Sequence, residues 1–436
     1  MSDVLLIESL DLEGRGVAHR DGKVVFVEGA LPGERVRAQV VRSKDSYDKA
    51  RMTELLQASA MRVVPPCPNF SVCGGCAMQH LHPEAQVAVK QRVLEDTLKH
   101  IGGVSAQQIL APMHGPYWEY RYRARFSVRL VNKKGGVLVG FRERNGRYVV
   151  DMDECRVIPA PVSRLLRPLR TMLGQLSRPD RIPQIELAQG DQQLALILRH
   201  MEVLTPEDIQ LLRDFAQQHG VTWYLQPKGP ETIHPLERGD EQFLAYTLPE
   251  FDLRMGFKPS DFTQVNYAIN RSMVHAAVSL LDVKPEHKVA DMFCGLGNFS
   301  LPLARKAAHV VGVEGSSALT LRASEAAAAH GLQDKASFAT LNLFEIDVQW
   351  LRGLGYFDRI LIDPPRDGAM ALAQALSQLS TQERAERIVY VSCNPATLAR
   401  DAGILVKEGG WKLEQAGVIN MFPHTAHIES MAVFSR

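Results

Sequence analysis

Five short runs rich in β-branched residues, KVADMF, HVVGVE, SFATLN, RILIDPP and RIVYVSC, follow one another from about residue 251 to the C-terminus. Helical segments such as SALTLRASEAAAAHG separate them. Strands that alternate with helices are joined by crossovers rather than hairpins, so this region predicts a doubly wound α/β domain with a parallel sheet. Open sheets of that kind bind ligands outside the carboxyl ends of their strands, which directs attention to the residues that end each run.

The first run ends in DMFCGLGNFS. A Gly-x-Gly after a strand, here Gly295 and Gly297, suits nicotinamide dinucleotides as well as S-adenosylmethionine. Two features separate them. The dinucleotide fingerprint wants a third Gly or Ala, where this chain has Ser300. Asp291 at the strand end would repel a pyrophosphate, whereas a carboxylate suits the sulfonium and ammonium of S-adenosylmethionine. Glu314 ends the second run, 23 residues after Asp291, where an acid holds ribose hydroxyls. Asp363 ends another run, ahead of two prolines that cannot continue a ladder.

RIVYVSCNPATLARD puts Cys393 at the mouth of a strand-to-helix turn, with Asn394 as N-cap and Pro395 in the first turn. Alone, such a thiol is best read as a small buried hydrophobe. In company with Asp291, Glu314 and Asp363 at the strand ends, it reads as a nucleophile whose pKa the helix N-terminus lowers.

With 436 residues the chain is too long for one ordinary core, and two or three domains are expected. No apolar run reaches the ~18 residues of a membrane span, and no basic-then-apolar leader opens the chain, so the cytoplasm is the expected location. VLLIESL, GVAHRDGKVVFVEGAL, ERVRAQVVRS and KARMTELLQAS read as short strands of a small OB-like β-barrel over 1–63. Ten basic and ten acidic residues balance there, so charge does not by itself argue for RNA. A helix is expected over PEAQVAVKQRVLEDTLKHI. Between Tyr117 and Arg147, nine Lys/Arg face two Glu. Arg121, Arg123 and Arg125 alternate with Tyr120, Tyr122, Ala124 and Phe126, so they line one side of a strand. A solvated face and a phosphate-binding stripe explain that pattern equally well.

The six cysteines are Cys67, Cys73, Cys76, Cys155, Cys294 and Cys393. In a reduced compartment they favour metal or catalytic roles over disulfides. The C-x5-C-x2-C run with a distant fourth Cys suits zinc and an iron–sulfur cluster alike by spacing.

The same cysteine run, together with DFTQVN at 261–266, DMFCGLGNFS, DPPR, SCNPATLARD and PHTAHIES, resembles the uracil-C5 RNA methyltransferases over nearly the whole chain. The resemblance implies a TRAM barrel at 1–63, a central iron–sulfur and RNA-binding domain at 64–250 and an S-adenosylmethionine-dependent methyltransferase domain at 251–436. It makes Cys393 the nucleophile and Glu429 the base. It assigns Gln264, Phe293, Asn298, Glu314, Asn342 and Asp363 to the cofactor, and Cys67, Cys73, Cys76 and Cys155 to a 4Fe-4S cluster. The TRAM segment and four cysteines point to the members that modify 23S ribosomal RNA, as monomers without a membrane partner. Chemistry argues in the same direction. Uracil C5 is a poor nucleophile until a thiolate adds at C6, and the C5 proton must afterwards leave to a base. The rivals are a uracil-C5 enzyme acting on tRNA or another ribosomal site, a cytosine-C5 methyltransferase, and a non-catalytic RNA-binding protein. The presence of both Cys393 and Glu429 weighs against the last.

Overall fold

The computed structural model describes residues 4–144, 146–237, 239 and 244–436; the first three residues of the expected barrel lie outside the described residues. The chain divides into two compact units, one of residues 1–66, 76–115 and 272–436, the other of 67–75 and 116–271.

In the first unit the N-terminal strands Val4–Leu6, Ser9–Leu10, Gly16–Arg20, Lys23–Glu28, Arg35–Ser43 and Tyr47–Gln57 form one six-stranded sheet. Val4–Leu6 and Ser9–Leu10 lie at opposite ends of its strand order, although only Ile7 and Glu8 separate them in the chain. The Ile7 amide donates to the Glu34 carbonyl and the Glu8 amide to that of Val17, at 2.9 and 2.8 Å, which draws the two edges together around the link. Ile7, Val25, Val27 and Val36 fill the interior. Asp21 and Gly22, at φ 51° and 80°, make the turn between Arg20 and Lys23. Two left-handed residues are what a type I′ hairpin demands, and Asp-Gly supplies them cheaply.

The same unit contains an eight-stranded sheet. We number its long strands β1 (Lys288–Met292), β2 (His309–Glu314), β3 (Ala336–Thr340), β4 (Arg359–Ile362), β5 (Arg387–Ser392), β6 (Lys412–Ile419) and β7 (Glu429–Ser435). Their order is β3-β2-β1-β4-β5-β7-β6, with the short strand Gln108–Ile109 outside β6. The first five runs are parallel, as the strand–helix alternation predicted. β7 inserts antiparallel between β5 and β6. Because β7 runs backwards, its first residue, Glu429, stands at the same edge as the last residues of the other strands. β4 is buried at every position, and β5 and β7 at all but one end, as a sheet covered on both faces requires. Each fully buried Leu, Ile or Val in this layer contributes about 1.5–3 kcal/mol relative to exposure.

Two helices matter for the site. α1 (Pro83–Thr97) extends through a wider turn, Leu98–Gly102, and ends at Gly103 in the left-handed region. α2 (Pro395–Lys407) starts at the Asn394 cap, whose Oδ1 accepts from the Ala396 amide at 3.1 Å. A Cβ on Gly102 would collide with the Ala399 carbonyl of α2, so glycine permits this close approach. α1 follows the cysteine run in sequence but packs inside the first unit, against α2 and β6.

The second unit is built on a six-stranded sheet of His234–Pro235, Thr222–Gln226, Leu194–Arg199, Gln184–Gln189, Arg123–Val131 and Gly136–Gly140, in that order. The helix Pro206–His219 carries a Thr205 capping box and ends at Gly220, φ 65°. No helix among the described residues is long and apolar enough to cross a membrane.

Candidate active site

The carboxyl edge of the eight-stranded sheet collects the residues singled out at the ends of the predicted strands. Asp291, next to last in β1 and fully buried, accepts a short hydrogen bond from the Ser300 hydroxyl through Oδ2, while its Oδ1 has no partner among the described residues. Burial pushes its carboxyl up to about 7 despite the Ser300 bond, and Glu314 adds to the rise. The chain then turns through Phe293 at φ 67°, a left-handed conformation that a bulky residue rarely adopts and that marks a constrained turn. Gly295 and Gly297 follow at φ 53° and 85°. The Glu314 carboxylate, at the end of β2, accepts from the amides of Gly295 and Ser316 at 3.2 and 3.0 Å, which ties the glycine turn to the next strand. Beyond β3, exposed Asn342 accepts from the Phe344 amide at 3.1 Å, and the Phe344 ring meets Phe293 edge-on at 5.6 Å. Asn298 is half-buried in the glycine turn.

Asp363 follows β4 directly, and its amide donates to the Met292 carbonyl of β1 at 3.2 Å. Part of its surface reaches solvent, but its carboxyl is desolvated and pushed up to about 8, with Asp291 contributing. The loop after it is held by the first turns of α2. Asn394 and Thr397 donate to the Arg366 carbonyl at 3.0 and 3.3 Å, and Arg400 donates to that of Asp367 at 2.9 Å. Buried Asp401 accepts from the Ala369 amide and from the Tyr390 hydroxyl, both at 2.7 Å.

Cys393 is half-buried between β5 and α2. Ser392 pairs with Ser430 across β5 and β7, so the thiol and Glu429 are next in line on neighbouring strands. Burial pushes the thiol up to about 11, Glu429 and Asp363 push the same way, and the Arg366 guanidinium pulls it down. This corrects the expectation that the helix N-terminus lowers it. A helix end is worth about 0.3–1 kcal/mol, less than the roughly 1.4 kcal/mol of one pKa unit, and burial beside two acids outweighs it. Glu429, only 2% exposed, lies well above the ordinary carboxylate range for the same reasons: burial first, then Asp363. A thiol flanked by two desolvated carboxyls can combine nucleophilic addition with proton transfer.

Gln264 belongs to the second unit, where it is half-buried ahead of the helix Tyr267–Leu280. Cys67, Cys73 and Cys155 also belong there, while Cys76 opens a segment of the first unit. Cys73 is buried, accepts from the Gly75 amide at 3.3 Å and is pushed upward by burial and by Cys67. Among the described residues, no group of three or more His, Cys, Asp or Glu is arranged to hold a metal ion.

The arginine stripe resolves into separate tasks. Arg123 donates to the carbonyls of Asp261 and Pro259, and Arg125 pairs with Glu186, its register partner, at 3.0 Å. On the other side Tyr120 and Phe126 are buried, and Tyr122 stacks on Tyr267 at 4.6 Å. Sequence reasoning did not single out Arg366, Asp401 or Lys90. The first two lie inside quoted motifs, and Lys90 announces itself only as a cation at a core position of a helix.

A sheet in the order β3-β2-β1-β4-β5-β7-β6 with acids along its carboxyl edge has the fold of the S-adenosylmethionine-dependent methyltransferases. The crystal structure of Pyrococcus abyssi tRNA (uracil-54, C5)-methyltransferase in complex with S-adenosyl-L-homocysteine shares that fold, with a TM-score of 0.74 and 24% identity over 99% of this chain and 100% of that one. The family model for tRNA (uracil-5-)-methyltransferase matches residues 84–436, and that for the TRAM domain matches 4–53. The 23S rRNA (uracil(1939)-C(5))-methyltransferase RlmD of Bordetella bronchiseptica is 67% identical over 434 residues, 100% of this chain and 93% of the relative. The protein of the same name from Cupriavidus metallidurans is 56% identical over 442 residues, 99% of this chain and 95% of the relative. The chain belongs to the uracil-5-methyltransferase family, as its motifs indicated.

Proposed function

We propose that this protein methylates C5 of a uridine in 23S ribosomal RNA, the position numbered 1939 in its relatives' names, using S-adenosylmethionine. The observation that carries the reading is the Cys393 thiol beside the buried carboxyls of Glu429 and Asp363. The donor set fits the cofactor: Asp291 and Asp363 are desolvated acids without a cation hydrogen-bonded to them among the described residues, which suits a sulfonium and an ammonium. Within the first unit, Glu314, Phe293, Asn298, Asn342 and Asp363 would hold it. Bound S-adenosylmethionine supplies the electrophilic methyl that C5 takes up.

The protein's residues do the rest. Cys393 gives its thiol proton to solvent beside the Arg366 guanidinium, the Sγ thiolate adds to C6 of the uracil, and the electron pair of the C5–C6 bond moves toward C5 and the C4 carbonyl. Once C5 is methylated, the Glu429 carboxylate takes the C5 proton. The electrons of that C–H bond re-form the double bond and expel Sγ as thiolate. A thiol held near 11 is a weak nucleophile at rest, so Arg366, the cation that lowers it, assists the addition. Reaching C6 and C5 together requires the base to be flipped or single-stranded.

The cysteines Cys67, Cys73, Cys76 and Cys155 fit a Cys-ligated 4Fe-4S cluster by donor chemistry, and the Gly75 amide on Cys73 Sγ is the kind of hydrogen bond a thiolate ligand accepts. Anaerobically purified protein should contain about four irons and matching sulfide per chain; stoichiometric zinc without iron would replace the cluster reading.

The test of function is incubation with labelled S-adenosylmethionine and 23S ribosomal RNA from a strain lacking the activity. Labelled 5-methyluridine at one position supports the reading. Label in cytidine, or none, rejects it.

A further inference from the structure

α1 carries Gln86, Lys90 and Gln91 on its buried face, next to Val87 and Leu94. All three side chains reach the stretch that leads to Glu429. Gln91 Oε1 accepts from the Val418 amide at 3.0 Å and Gln86 Oε1 from the His424 amide at 2.8 Å. Lys90 Nζ donates to Asn420 Oδ1 and to the Phe422 carbonyl, both at 2.9 Å. Residues 420–428 make the whole connection between β6 and β7, and Ile419 pairs with Glu429 across its base.

Lys90 is the unexpected member of this set. It is 2% exposed, and both of its acceptors are neutral. Burial of an ammonium without a counter-charge is unfavourable, and a methionine would fill the space with less penalty. The desolvation brings Lys90 down to about 7. Asn420 is committed in turn. It is fully buried, its Oδ1 must face the lysine donor, and its Nδ2 therefore points elsewhere, without a partner among the described residues. A packing role needs none of this. A role in holding one geometry of the turn needs all of it.

We infer that Lys90 is a positioning residue for the reaction: through Asn420 and the Phe422 carbonyl it fixes the turn that delivers Glu429 beside Cys393. The inference rests on the reading of Glu429 as the base. Its signature is selective. Addition of the thiol and uptake of the methyl do not use Glu429, so loosening the turn slows proton removal and leaves those steps near normal.

The experiment uses full-length Lys90→Met and Asn420→Ala, with wild type and Glu429→Gln alongside, mixed with 23S ribosomal RNA and labelled S-adenosylmethionine. It measures the labelled protein–RNA adduct that survives denaturation against released 5-methyluridine, together with melting temperature and cofactor affinity. Turnover should fall about ten- to a hundredfold, the range for a lost hydrogen bond to a charged group. Methylated adduct should accumulate while cofactor affinity stays near wild type. A folded Lys90→Met that partitions like wild type, or that loses adduct and product together, overturns the inference. If Lys90→Met does not fold, Asn420→Ala decides on the same criteria, because it cuts the same hydrogen bond from the other end with a smaller change. Glu429→Gln without any adduct removes the base reading itself, which keeps the two failures apart.

Discussion

The carboxyl edge of the eight-stranded sheet and the arginine-bearing strand of the second unit handle charge in opposite ways. At the sheet edge, Asp291, Asp363 and Glu429 are desolvated, and no basic side chain hydrogen-bonds to them among the described residues. On the strand Arg123–Val131, Arg123 is already engaged by two backbone carbonyls and Arg125 by Glu186. Charge answered within the fold is architecture, and charge left unanswered and buried marks a place for a ligand of opposite sign. The contrast ranks residues by what they lack rather than by what they are.

The sharpest way to break the comparison is at the thiol. Cys393→Ala should reduce methyl transfer to background in the labelled-RNA assay while leaving S-adenosylmethionine affinity near normal, because the thiol acts on the base. Substantial turnover in that variant would end the nucleophile reading. Glu429→Gln comes next, with a loss of about a hundred- to ten-thousandfold for a missing general base. Gln keeps the shape and removes the basicity, so a methylated adduct requiring Cys393 should persist through denaturation. A variant that instead fails to bind cofactor would make Glu429 part of the cofactor's seat.

Why the two regions differ in legibility follows from how each is built. Parallel strands joined by crossovers deliver their carboxyl ends to one edge, so Asp291, Glu314, Asp363 and Cys393 could be grouped from the strand pattern before any spatial neighbour was known. Glu429 could not, because its place depends on β7 running backwards between β5 and β6, which no local pattern announces; only the resemblance to a family pointed to it. The arginine strand was ambiguous because alternation identifies a face but not what covers it. The carbonyls that engage Arg123 come from residues 259 and 261, more than a hundred positions away. What Lys90 does was hidden for the same reason, its acceptors lying some 330 residues downstream. The thiol's pKa was misread because the helix end is a local signal and the two carboxyls are not.

The unanswered acids also predict a pH dependence with a definite sign. A cationic ligand favours ionised carboxyls, and Asp291 and Asp363 hold their protons up to about 7 and about 8. Raising the pH therefore prepares the site, and S-adenosylmethionine affinity should tighten by roughly ten- to a hundredfold between about pH 6 and about pH 9. Binding within that range should release protons, which calorimetry in buffers of different ionisation enthalpy would detect. A flat profile would place the cofactor's cationic centres away from these acids.

The smallest effects belong to the arginines, and they sharpen the comparison from its other side. If Arg123 is architecture, Arg123→Gln should destabilise the protein by about 1.5–3 kcal/mol, the cost of losing charged hydrogen bonds to carbonyls. It should do so without changing the slope of log RNA affinity against log salt. Arg125 differs: its side chain is 67% exposed and its partner Glu186 lies mostly within the sheet. Its ion pair is worth about 0–1 kcal/mol, so Arg125→Gln should leave the melting temperature almost unmoved. Whatever it does to RNA binding is then readable without interference from folding. If Arg125 pairs with a single phosphate, its removal would flatten the salt slope by close to one unit, or somewhat less for single-stranded RNA. A flattened slope in Arg125→Gln with none in Arg123→Gln would separate an arginine that faces RNA from one held by the fold. A flattened slope in Arg123→Gln would instead mean that its carbonyl bonds open on binding, and that the division between answered and unanswered charge fails at that position.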